Sequence, residues 1–93
     1  MKDLREAKEA VRSMGLRLLE TGLVVGTWGN VSVRLGDRMV VTPSGADYRA
    51  FTADTMPVVD LLSGQWTGPQ PSSDRELHRA IHLERPEIHA VIH

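Results

Sequence analysis

One long amphipathic segment, followed by short apolar runs that Gly, Pro, Asn or Ser cut off, restricts this chain to helices packed on a sheet of short strands. Residues 3–21 carry Leu4, Ala7, Val11, Met14 and Leu18 at helical spacing, with Lys, Arg and Glu on the opposite face. That period predicts a helix buried along one stripe. Asp3 with Glu6 three residues on forms a capping-box pattern. Gly22 stands where a C′ glycine ends a helix, with Leu23 placed to touch Leu18.

Beyond Gly22 the period changes. Val31–Arg34 alternates apolar and polar, Gly36-Asp37 supplies a turn, and Met39–Thr42 is apolar and β-branched. Together they predict a β-hairpin. Thr52-Ala53-Asp54 reads as one helical turn, Met56–Asp60 as a strand, and Gln65-Trp66-Thr67 as a partner returning across Ser63-Gly64. Ser73-Asp74-Arg75-Glu76 is a second capping-box pattern. The helix it opens has Leu77, Ala80 and Ile81 as its apolar stripe, and Pro86 ends it by Arg85. Ile88–His93 reads as a buried strand. This order predicts a mixed sheet with helices packed on it.

Bulk composition excludes more than it assigns. The 93 residues are 41% hydrophobic and 25% charged, with a net charge of −1. These values argue against disorder and against a basic nucleic-acid footprint. The absence of cysteine removes disulfides and thiolate metal sites, so any metal must rely on His and carboxylate ligands. The opening residues Met1 to Glu6 are too charged for a signal peptide, and no apolar run reaches membrane length. A cytoplasmic protein with no membrane partner is expected. The final run, His89-Ala90-Val91-Ile92-His93, has no turn, cap or polar tail, which suggests a truncated or split chain.

Three small-residue turns could carry chemistry: Gly26-Thr27-Trp28-Gly29-Asn30-Val31-Ser32, Thr42-Pro43-Ser44-Gly45 and Pro71-Ser72-Ser73-Asp74. Each offers backbone N–H groups and short polar side chains to an anion, and the third opens a helix, where unpaired N–H groups favour a phosphate. Taken singly, each is more simply a turn. His78 and His82 lie four apart on the second helix, but Arg79 stands where a zinc-protease pattern needs Glu. An exposed or hydrogen-bonded pair without metal is the simpler reading. Asp74 either complements the helix dipole or serves as a metal ligand or acid/base; spacing alone favours the former. His93, at the end of an apolar strand, lies where α/β proteins place their sites.

Taken in order, the three turns, His78, Arg85-Pro86 and Ala90-Val91-Ile92-His93 resemble the class II aldolase/adducin family over nearly the whole chain. The resemblance implies a three-layer α/β/α fold with a central mixed, largely antiparallel sheet, of which residues 1–93 would be the N-terminal part, as one domain. It implies that Gly29, Asn30, Ser44, Gly45, Ser72 and Ser73 cradle a substrate phosphate. Asp74 would act as acid/base and approach a divalent metal, most often zinc. His93 would be the first histidine ligand, with further ligands expected beyond it. The implied activity is retro-aldol cleavage of a ketose 1-phosphate through a metal-stabilised enediolate, in a homotetramer. Asp74 and the run Pro43 to Tyr48 are closer to the pentulose-5-phosphate 4-epimerase branch, and the compact hairpin 33–39 to fuculose-phosphate aldolases. A non-catalytic adducin-like module and an inert fragment are the competing readings.

Overall fold

The computed structural model describes residues 3–25, 28–45, 47–50 and 52–93. Helix α1 spans Leu4–Glu20, and the Asp3 side chain accepts the Glu6 amide at its start. It ends as predicted. The Leu23 amide donates to the Leu18 carbonyl and the Gly22 amide to that of Leu19, a Schellman closure made possible by Gly22 at φ 77. Ala7, Val11 and Leu18 form the buried stripe.

Strands β1 (Val31–Leu35), β2 (Arg38–Val41), β3 (Val58–Asp60), β4 (Trp66–Thr67) and β5 (Ala90–Ile92) form one sheet in the order β4-β3-β2-β1-β5. A 3₁₀ turn at Ala53–Thr55 precedes β3, and helix α2 spans Arg75–Glu84. Every described strand pair is antiparallel, in keeping with the largely antiparallel sheet expected. No described helix is long and apolar enough to cross a membrane.

Alternation along the strands assigns the two faces. Val31, Val33, Val40 and Val58 join Ala7, Val11, Leu18, Tyr48 and Met56 in the core beneath α1. Ser32, between the two valines, points the other way. Its register partner is Val41, and Met39 sits opposite Val59; Met39, Val41, Val59 and Leu61 form the second cluster. Ser32 bonds to α2, so α2 covers that face and the three-layer arrangement stands.

Burial departs from simple alternation at Ser32 and corrects two readings, the apolar stripe of α2 and the buried β5. Ser32 lies in a strand that alternates like a half-exposed one, yet it is fully buried, because helices cover both faces. On α2 the buried positions are His78 and His82, whereas Leu77 is 45% exposed. The helix turns its histidines inward because Ser32 supplies a polar partner there. Strand β5, expected to be buried, is exposed at Ala90 and Ile92 and pairs only with β1 among the described strands.

Candidate active site

Antiparallel pairing is what brings distant turns together. The start of β1, the end of β2 and the end of β5 must lie at one end of the sheet. Reciprocal backbone bonds join Asn30 to His93. The second and third turns are joined by an antiparallel bridge between Pro43 and Pro71, by the Ser72 amide on the Thr42 carbonyl, and by the Ser44 amide on the Gln70 carbonyl.

A cavity of about 250 Å³ opens where they meet, lined by Trp28, Gly29, Asn30, Pro43, Ser44, Gly45, Ser72, Ser73 and Asp74. All six residues expected to cradle a phosphate therefore share one pocket, with Asp74 in its wall. Gly26 and Thr27 of the first turn lie outside the described residues. Among the described residues, the amides of Gly29, Gly45 and Ser73 and the hydroxyls of Ser44 and Ser73 donate to no protein acceptor. These donors are left for an anion. Among the described residues no basic side chain lines the pocket, which leaves N–H and O–H dipoles and the N-terminus of α2 as its positive features.

Gly29 has φ 80, and a Cβ there would lie 2.5 Å from Val24 Cγ1. Only glycine fits that turn without strain. The Gly29 carbonyl accepts the Tyr48 hydroxyl, and the Tyr48 ring fills the space left by Gly15, whose Cβ would meet it at 2.3 Å. Burial pushes the Tyr48 phenol above its ordinary range. Tyr48 and Gly15 escaped the reading of the sequence; a small residue on the buried stripe of α1 was the available signal.

Asp74 rather than Ser73 is the N-cap of α2, and its side chain makes no capping bond, so the capping box read at Ser73 with Glu76 does not form. Its Oδ2 instead accepts Asn30 Nδ2 at 2.8 Å and lies 3.0 Å from His93 Nδ1. The Ser72 hydroxyl takes over near the helix start, accepting the Asp74 amide. The Asn30 bond, then the His93 bond, holds the Asp74 carboxyl below the usual carboxylate range against partial desolvation. Asp74 is therefore an anion at neutral pH.

Behind Asn30 the polar chain continues inward. His78 Nε2 meets Asn30 Oδ1, His78 Nδ1 lies 2.6 Å from Ser32 Oγ, and the same oxygen lies 2.8 Å from His82 Nε2. Both histidines are fully buried. Burial, reinforced by the charges of His82 and His93, pushes His78 down to about 4. Burial also lowers His82, opposed by the backbone of Ile88.

No group of three His, Cys, Asp or Glu side chains among the described residues could hold a metal ion. Asp74 and His93 nevertheless have the donor chemistry of one. With Nδ1 turned to a carboxylate, His93 keeps Nε2 for a ligand, the arrangement by which a carboxylate orients a metal-binding imidazole. Two donors fit a divalent site in kind and fall short of the three protein ligands usual for catalytic zinc.

The three-layer α/β/α fold thus gathers three turns around one pocket, with Asp74 in its wall and His93 bonded to Asp74. The family described as Class II Aldolase and Adducin N-terminal domain matches residues 9–93, and this chain belongs to it. A probable L-ribulose-5-phosphate 4-epimerase of Mycoplasma pneumoniae is 38% identical over 99% of this chain and 40% of its own length. The L-fuculose phosphate aldolase of Escherichia coli K12 is 38% identical over 84% of this chain and 36% of its own. The crystal structure of YgbL from Klebsiella pneumoniae superposes with a TM-score of 0.89 at 32% identity, covering 100% of this chain and 45% of that one. The chain thus spans less than half the length of these relatives.

Proposed function

We propose that this chain, as one domain, supplies the phosphate pocket, the acid/base and part of the metal site of a class II sugar-phosphate aldolase acting on a ketose 1-phosphate. The observation that carries the reading is the single pocket formed by Gly29, Asn30, Ser44, Gly45, Ser72 and Ser73 beside the Asp74–His93 pair. The phosphate would take the free amides and hydroxyls, so that binding energy remote from the reacting carbons holds them at Asp74. His93 would hold a divalent cation such as zinc through Nε2, with Asp74 orienting its ring through Nδ1 and joining as a ligand only on releasing that bond. When bound, such a cation supplies Lewis-acid stabilisation of charge on the substrate oxygens.

In the proposed cleavage the C3–C4 bond of the ketose breaks. Its electron pair stays with the phosphate-bearing fragment, and C4 leaves as an aldehyde. The C4 hydroxyl proton must depart and a proton must reach C3. Asp74, ionised and with Oδ1 free of described protein donors, is placed to accept the one and deliver the other.

A 4-epimerase acting on a pentulose 5-phosphate is the second reading, supported by the aspartate at position 74 and by the likeness of 99% of this chain to 40% of the Mycoplasma pneumoniae protein. A cytoplasmic homotetramer is the proposed working assembly. Incubation of the protein with zinc and either L-fuculose 1-phosphate or L-ribulose 5-phosphate, followed by proton NMR, tests both readings. An aldehyde and a three-carbon ketone phosphate, abolished by EDTA, are expected for the first; a C4 epimer is expected for the second. If neither ketose phosphate changes, and calorimetry shows no binding of inorganic phosphate, the reading is rejected.

A further inference from the structure

The buried chain behind the pocket has a single consistent direction. An ionised carboxylate only accepts, so Asp74 Oδ2 requires a donor, and Asn30 must turn its Nδ2 toward it. Asn30 Oδ1 then faces His78 Nε2, which must carry the proton. Burial keeps His78 neutral, so its Nδ1 is an acceptor and the Ser32 hydroxyl donates to it. Having spent its only proton, Ser32 accepts from His82 Nε2. Every donor from His82 through Ser32, His78 and Asn30 points toward Asp74.

An asparagine amide is nearly symmetric in shape, and its two ends are told apart only by their partners. If His78 presented a lone pair at Nε2, the amide would turn over. Its carbonyl would then face Asp74 Oδ2, acceptor against acceptor, and the carboxylate would rotate away from Asn30 and His93. Resting on the reading of Asp74 as acid/base, we infer that His78 and Ser32 are positioning residues: through Asn30 they lock one oxygen of Asp74 against His93 and leave the other to the substrate. The reading of the sequence placed His78 in the family pattern without a role and gave Ser32 none beyond its place in the first turn.

Long-range ¹H–¹⁵N NMR of the imidazole nitrogens at neutral pH tests this without requiring turnover. The wild-type protein is expected to show His78 and His82 as Nε2–H and His93 as Nδ1–H tautomers. His78→Phe keeps the ring shape and removes the donor; Ser32→Ala removes the proton that sets the His78 tautomer. Both are expected to turn His93 from one tautomer into a mixture. His78→Gln, whose amide can donate to Asn30 and accept from Ser32, is expected to restore Nδ1–H. A proton on His78 Nδ1 in the wild type overturns the inference, as does a His93 tautomer indifferent to Ser32→Ala. Should His78→Phe fail to fold, the wild-type tautomers and His78→Gln decide. Titration with inorganic phosphate on the same wild-type sample reports on the pocket separately, so failure of the proposed function is distinguishable from failure of the relay.

Discussion

Lowering the pH should unfold this protein through His78 before its carboxylates matter. The folded imidazole resists protonation until about 4, against 6.5 in the unfolded chain. Throughout that window the unfolded state binds the extra proton, so stability is complete above pH 6.5 and falls as the pH drops toward 4. One pKa unit is worth about 1.4 kcal/mol, so the shift amounts to about 3 kcal/mol in full and about 2 kcal/mol between pH 7 and pH 4.5. That is a large fraction of the roughly 5–15 kcal/mol that holds a domain together.

His82 is shifted in the same direction and should steepen the fall. Asp60 and Asp74 are held below 3.8, so their contribution is present above that pH and is lost only in more acidic solution. The two sets of groups act in separate windows. Urea midpoints measured at intervals from pH 7.5 to pH 4.5 should therefore decline, and His78→Gln should flatten most of the decline. A midpoint independent of pH across this range in the wild type would refute the argument that His78 is buried and neutral.

Gly29→Ala should cost about 1–3 kcal/mol, since the new methyl combines a left-handed backbone with a contact on Val24; urea unfolding reads the loss, and calorimetry should show weaker phosphate binding. Tyr48→Phe should cost about 1 kcal/mol by leaving the Gly29 carbonyl without its hydroxyl donor. Ser73→Ala should leave the urea midpoint unchanged while weakening inorganic phosphate about tenfold, equivalent to ~1.4 kcal/mol; an unchanged affinity would remove Ser73 from the pocket's donors.

Much of this fold was legible because local chemistry and global packing agree. Asp3, the α1 stripe, Gly22 and the 36–37 turn each act within a few residues of themselves, and each behaves as its neighbours dictate. Convergence of the six pocket residues was not readable from spacing. It follows from strand pairings at long range, and the family pattern alone suggested it. The failures share one physical cause. Leu77, Ala80 and Ile81 were taken as the apolar stripe of α2, because hydrophobicity was equated with burial. A polar residue is buried as readily when its partner is buried with it, and Ser32 has two such partners on a helix 46 and 50 residues away in sequence. Asp74 is a related case: spacing favoured a carboxylate that complements the helix dipole, and the structure turns its Oδ2 to Asn30 and His93.

The absence of lysine and arginine from the pocket wall among the described residues would make the proposed recognition a matter of geometry more than of net charge. Partial dipoles at hydrogen-bonding distance are screened far less by salt than full charges acting across a Debye length. Occupancy should hold nearly constant as potassium chloride is raised toward cellular levels. Chloride itself, a sphere without a tetrahedron of oxygens, should compete poorly for donors set at several angles. Such a cleft gains little from long-range capture of its ligand and discriminates only once the ligand has arrived.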